Sequence, residues 1–445
     1  MDHQLVRVGG RQVLIVDVAA SDDGHGVGYG IILKRIRRAL LFGAAMRVPV
    51  FYAREARAIN TAVFRLQSPD VEILPRRGWT ALRLRAIWLA TAPFRFGAPG
   101  LWLRRMFARL LLGSGYEALE QARWLPASIR RVLLRPRRWH RTLKKANSAY
   151  ASLTSQGWRE TFELASARMR EDEARGTPLP LRLALPPEHE QEAVRNAAAA
   201  GLHPTDRLVT VHVRESGYRA VAGLRQRDWD VLRNARIETY QAAFASLVAR
   251  GYTVVRLGDP TMTPVRQPGV VDLATSAHRT EWLEAWCVHR SQFLIGCDSG
   301  PSWLAFLLNV PLLTVNALHF RDLARPHDRV VCKLSADRTT GQRLSVSQML
   351  TEAYMREGLN TARFDHRDNE AADLGDAVLD MLEVVGGTEK PSPAQVEFRN
   401  RLVDLGRQQK PDWSAVTGIT FASQPRGTLS RRFADKYWLT APAAD

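Results

Sequence analysis

The stretch from Gln292 to Asn316 leaves this chain few folds to choose from. Phe293 to Ile295 are apolar and suit a buried strand. Ser299 and Gly300 break that strand, Pro301 suits the first turn of a helix, and Trp303 to Leu308 continue it. Pro311 ends the connection and Leu312 to Val315 supply a second strand. A strand–helix–strand unit of this kind runs its strands in parallel and belongs to an α/β domain. The helix would begin at the carboxyl end of a strand, where free N–H groups and the helix dipole favour an anion. Ser-Gly turns of the same shape also occur with nothing bound.

The preceding residues repeat the pattern. Leu208 to Val213 is a near-continuous apolar run, as in parallel strands, and ends in Arg214-Glu-Ser-Gly-Tyr218. Thr253 to Leu257 ends in Arg256-Leu-Gly258, and Val270 to Leu273 ends in Ala274-Thr-Ser276. Helices are expected over Ile237–Arg250 before Gly251, over Trp282–His289, and over Glu188–Ala200 before Gly201. Four successive strands therefore end in polar or glycine-rich turns, at Arg214, Gly258, Ser276 and Ser299. Doubly wound sheets collect their ligand contacts at such ends. An Arg there suits phosphate oxygens, and equally suits an ion pair with a neighbouring helix.

The chain opens with a second such unit: a strand at Val13–Val16, a helix at Ile31–Met46 and a strand at Val48–Tyr52. Its first turn, Asp17 to Gly30, is glycine-rich but lacks dinucleotide-fingerprint spacing, and no acidic residue ends the second strand. Asp22, Asp23 and His25 stand in that turn, where a general base would be placed; each could equally be a turn or capping residue. Val71–Leu74 reads as a further strand.

The chain is 445 residues long with a net charge of +18. Between Arg76 and Lys145, 17 Lys or Arg face only Glu117 and Glu120, interleaved with apolar residues such as Trp79, Trp88, Phe94, Trp102 and Phe107. Basic amphipathic segments with Trp at the boundary suit an anionic membrane surface. A solvated Arg-rich helical subdomain fits as well, and nucleic acid ranks below both because no DNA- or RNA-binding signature accompanies the charge. No apolar run approaches the ~20 residues that span a bilayer, and the apolar run Val13–Val16 is too short for a signal peptide. Cys287, Cys297 and Cys332 match no zinc or redox spacing, which points to a reducing compartment.

The motifs His212-Val-Arg-Glu-Ser-Gly-Tyr218, Leu232-Arg-Asn234, Val254-Val-Arg-Leu-Gly258, Asp272-Leu-Ala-Thr-Ser276 with Arg279, and Ile295-Gly-Cys-Asp-Ser-Gly300 occur in that order. Together they resemble the family of bacterial glycosyltransferases found with surface-polysaccharide biosynthesis genes. The match is good from Leu208 to Asn316, looser over the N-terminal unit and faint in the last helices. His212-Val-Arg214 is also similar to the His-x-Arg of fucosyltransferases, whose Arg contacts the diphosphate of a GDP-sugar. Asp298-Ser-Gly-Pro-Ser-Trp303 is similar to the Asp-Thr-Gly-x-x-His of heptosyltransferases, with Trp303 standing where that pattern has His.

The resemblance implies an α/β, GT-B-like fold of two Rossmann-like domains facing a cleft. Residues 1–200 would form the acceptor domain, with a basic helical insertion at about 76–175. Residues 201–360 would hold the nucleotide sugar, and 361–445 would supply packing helices. It implies a metal-independent, inverting transfer, with a nucleotide sugar as donor substrate and no cofactor. A GDP-sugar is favoured. The acceptor would be a glycan or lipid-linked molecule at the inner face of the cell membrane, reached from the cytoplasm. Arg214, Asn234, Arg256, Gly258, Ser276, Asp298, Ser299 and Gly300 would form the donor site, with Arg214 stabilising the leaving diphosphate. Asp22, Asp23 or His25 would serve as base, Asp23 slightly preferred. The alternative is a non-catalytic nucleotide-sugar or polyanion-binding protein.

Overall fold

The computed structural model describes residues 2–8, 11–17, 48–51, 71–74, 185–217, 231–318, 320, 323, 325–358, 360–408 and 427–440. They fall into two compact units.

The first unit contains a four-stranded sheet in the order β1-β2-β3-β4, from β1 (Asp2–Val8), β2 (Arg11–Asp17), β3 (Val48–Phe51) and β4 (Val71–Leu74). β1 pairs antiparallel with β2, an opening hairpin that the sequence reading did not anticipate. β2, β3 and β4 run parallel, as a strand–helix–strand opening requires. The glycine-rich turn with Asp22, Asp23 and His25 lies outside the described residues, as does the basic stretch 76–145.

The second unit is built on seven strands: β5 (Leu208–His212), β6 (Thr253–Leu257), β7 (Val270–Asp272), β8 (Ser291–Gly296), β9 (Leu312–Ala317), β10 (Arg329–Cys332) and β13 (Thr428–Leu429). Their order is β13-β10-β9-β8-β5-β6-β7, and every pairing is parallel. The chain starts in the middle at β5, moves out through β6 to β7, returns to β8 on the other side of β5, and then moves out through β9 to β10. That is the doubly wound order with its direction reversal between β5 and β8.

Side-chain parity along these strands divides the core in two. Val209, Val211 and Val213 share one cluster with Val254, Phe293, Ile295, Leu313 and Val315. Leu208, Val255, Leu257, Leu294 and Leu312 belong to the other. Burial on both faces is why the strands read as continuous apolar runs. The second face is covered by α1 (Pro187–Ala199), α3 (Glu281–Arg290) and α4 (Gly300–Leu307). The first is covered by α2 (Gln241–Val248), led in by a 3-10 turn at Ile237–Tyr240, and by α7 (Ala371–Val385), α8 (Pro393–Gln408) and α9 (Arg431–Tyr437).

Local chemistry sets the helix limits. The Thr280 hydroxyl accepts from the Leu283 N–H at 3.1 Å and starts α3. Gly251, at φ 76°, follows α2 in the left-handed conformation that glycine tolerates. The sequence expectation of a helix around Thr428–Trp438 is corrected at its start. Thr428 and Leu429 do not open the last helix but form β13 beside Arg329 and Val330 of β10, and the helix starts at Arg431. Edge pairing to an existing strand outweighs the local helical pattern. A β11–β12 hairpin (Leu334–Asp337 and Phe364–Arg367) and two short helices, α5 (Val346–Met349) and α6 (Glu352–Glu357), complete the unit.

Candidate functional site at the sheet reversal

The reversal between β5 and β8 brings together two of the turns singled out by sequence. His212 ends β5 and is nearly buried; Ser299 follows β8 and precedes α4. A 2.9 Å hydrogen bond joins His212 Nδ1 to Ser299 Oγ across the two strand ends. The fully buried Cys297 sulfur lies 3.7 Å from His212 Nδ1 and 3.5 Å from Ser299 Oγ, and receives the Arg214 backbone N–H. Arg214 and Ser299 therefore stand on one rim of one sheet.

Burial and two nearby arginines set the state of His212. Burial, then the charges of Arg214 and Arg256, lower the His212 pKa from 6.5 to about 4, so its ring is neutral near pH 7. Burial raises the Cys297 thiol above its usual range. The first turn of α4 adds backbone N–H groups that have no intrahelical acceptor. Gly296 must be glycine for the turn to close. A Cβ there would meet Ser302 Oγ at 2.5 Å, and that hydroxyl donates to the Cys297 carbonyl at 2.7 Å.

Two neighbours hold the turn and the arginine. Arg214 Nη1 donates to Asn234 Oδ1 at 3.3 Å, and the Ala235 N–H donates to the Arg214 carbonyl at 3.1 Å. Arg233, nearly buried, donates from Nη1 to the Asp298 carbonyl at 3.0 Å. Asp298 is itself buried and accepts the Leu318 N–H at 2.9 Å, so its carboxylate ties the turn to the end of β9. Arg233 was missed by sequence reasoning although it lies inside the Leu232-Arg-Asn234 motif. Gly300 opens α4 with open space where a Cβ would stand.

The other sequence candidates sit elsewhere on the rim. Arg256 was expected to reach a phosphate. It is fully buried, donating to Glu215 Oε1 at 2.6 Å and to the Thr263 carbonyl at 2.5 Å, with Asp272 at 3.4 Å. Glu215 also accepts from Thr263 N and Oγ1, and Asp272 from Val265 N and Thr275 Oγ1. The guanidinium is thus committed to the β6–β7 corner. Gly258 hydrogen-bonds the carboxylate of Glu284, which burial pushes upward in pKa and Arg279 pulls back. A Cβ at Gly258 would meet Met262 Sδ at 2.2 Å. Ser276 accepts the His278 N–H within its own turn at 3.1 Å. Among the described residues no cluster of three or more His, Cys, Asp or Glu could hold a metal ion, and no helix is long and apolar enough to cross a membrane.

The described site defines a class: a doubly wound parallel sheet with Arg214, Ser299 and the start of α4 gathered at its reversal. No family model matches the chain, and no curated protein does. Among solved structures it is similar to the crystal structure of the glycosyl transferase family 9 from Veillonella parvula DSM 2008. That likeness has 12% identity and a TM-score of 0.38, and covers 72% of this chain and 85% of that one.

Proposed function

We propose that the protein is a glycosyltransferase that takes its sugar from a nucleoside diphosphate sugar. The observation that carries this reading is the meeting of Arg214, Ser299 and the α4 N-terminus at the β5/β8 reversal, tied across by the 2.9 Å His212–Ser299 bond. Ligands of doubly wound sheets bind in the crevice at that place. The chemistry needs positive groups where the departing diphosphate gathers charge. The guanidinium of Arg214 and the N–H groups of α4 supply them, and the Ser299 hydroxyl adds a donor. The resemblance of five ordered motifs to polysaccharide glycosyltransferases supports the sugar as the group transferred.

In this reading the donor is a GDP-sugar and the transfer is inverting and independent of metal. Asp22, Asp23 or His25 is the base that deprotonates the acceptor hydroxyl. The acceptor is a lipid-linked glycan, held where the basic stretch Arg76–Lys145 meets the inner membrane surface. Arg256 is left out of the donor site.

Calorimetric titration of the full chain with GDP, UDP and pyrophosphate tests the reading, followed by donor-hydrolysis assays with the matching sugar nucleotides. Saturable binding and slow donor hydrolysis are expected. Absence of binding to every diphosphate would overturn it. Binding without turnover on any donor or acceptor would favour a nucleotide-sugar binder.

A further inference from the structure

Lys333 follows β10 and its side chain is almost completely buried. It donates to Asp368 Oδ1 at 2.6 Å and to the Asn234 carbonyl at 2.8 Å. Asn234 is the residue whose side chain accepts the Arg214 guanidinium at 3.3 Å. A chain of contacts therefore runs from Asp368 through Lys333 and Asn234 to Arg214.

The far end of that chain is rigidly placed. Asn369, next to Asp368, exchanges hydrogen bonds with Asn316: the Asn316 N–H donates to Asn369 Oδ1 at 2.6 Å, and the Asn369 N–H donates to Asn316 Oδ1 at 2.7 Å. Asn369 Nδ2 also donates to the Cys332 carbonyl at 2.8 Å, and Asn316 Nδ2 to the Tyr240 hydroxyl at 3.0 Å. Asp368 is thus anchored to the ends of β9 and β10. The Lys333 N–H in turn donates to the Ala317 carbonyl at 2.9 Å. Burying the lysine of such a pair is a poor way to gain stability, because desolvation offsets much of the attraction. Its geometry is better explained by what the ammonium holds, which is the backbone of residue 234.

Taking the diphosphate reading above as its basis, we propose that Lys333 and Asp368 are positioning residues for Arg214. By fixing the Asn234 carbonyl they set where the Asn234 side chain receives the guanidinium, and so set the affinity of the β5/β8 crevice for a nucleoside diphosphate.

The test is a set of double-mutant cycles read by calorimetry with GDP, UDP and pyrophosphate, on Lys333→Met, Asp368→Asn and Asn234→Ala. Each is made in the native chain and in an Arg214→Lys background, which keeps a charge but loses the planar fork. Lys333→Met should weaken binding ~10-fold in the native chain but under ~2-fold in the Arg214→Lys background, with kcat for donor hydrolysis changing less than KM. Asp368→Asn retains side-chain volume and should show the same coupling should Lys333→Met fail to fold; Asn234→Ala bypasses the buried pair altogether. Equal losses in both backgrounds, or native affinity in a folded Lys333→Met or Asp368→Asn chain, would overturn the brace while leaving the diphosphate reading intact. A native chain that binds none of the three probes overturns both.

Discussion

Arg214, just past β5, and Arg256, inside the adjacent β6, read alike in the sequence, each near the end of an apolar run. The structure gives them opposite circumstances. Arg256 lies within β6, fully buried, against two carboxylates. Arg214 lies past the end of β5, only partly buried, beside the neutral Asn234. A guanidinium fully buried against carboxylates has its charge compensated inside the protein, whereas one at the partly exposed strand end is within reach of a ligand in the crevice. What separates the two arginines here is their burial and their place relative to the strand end.

The largest effect should come from breaking the structural member. Arg256→Met removes a fully buried guanidinium and leaves the partly buried Glu215 and Asp272 without their cation, and breaking such a pair costs up to about 3–5 kcal/mol. Denaturant unfolding should show that loss; a near-native midpoint would mean that the two arginines are more alike than their surroundings suggest.

His212 feels both arginines and offers the next largest effect. Its folded pKa of about 4 lies below the ordinary 6.5, so the unfolded chain binds a proton that the folded one refuses. Stability from this group is whole above pH 6.5 and is lost as pH falls towards 4, by about 3 kcal/mol. In His212→Gln that share of the acid sensitivity should vanish, which unfolding midpoints measured across the same window would register. Equal slopes for both proteins would deny that Arg214, Arg256 and burial act on the ring.

Much of this is legible in the amino-acid sequence. Leu208–Val213 and Phe293–Ile295 betray a sheet buried on both faces, and Gly201 and Gly251 mark helix ends because both adopt positive φ. The commitment of Arg256 was half legible: it shares parity with Val254, whose side chain enters a helix-covered core, so it should point inward. Its partner Glu215 was not, since nothing local ties residues 41 apart in sequence. Lys333 carried no signal at all, being one lysine after a short apolar strand. β13 was hidden for the same reason, because two residues become a strand only when β10 is there to pair with them.

Arg214, at the proposed diphosphate site, predicts smaller, more selective losses. Arg214→Ala should weaken nucleoside diphosphate binding by about 2 kcal/mol, roughly 30-fold, while leaving the melting temperature close to native. Calorimetry and thermal unfolding on the same sample would separate it cleanly from Arg256→Met, whose defect should be the reverse. Smallest should be Ser299→Ala. It removes one hydroxyl donor and the bond to His212 but keeps Arg214 and the α4 N–H groups, so binding should fall by about 1 kcal/mol. If Ser299→Ala instead matched Arg214→Ala, the hydroxyl would rank with the guanidinium, and the weight given to charge at this rim would have to be shared with the 2.9 Å His212–Ser299 bond.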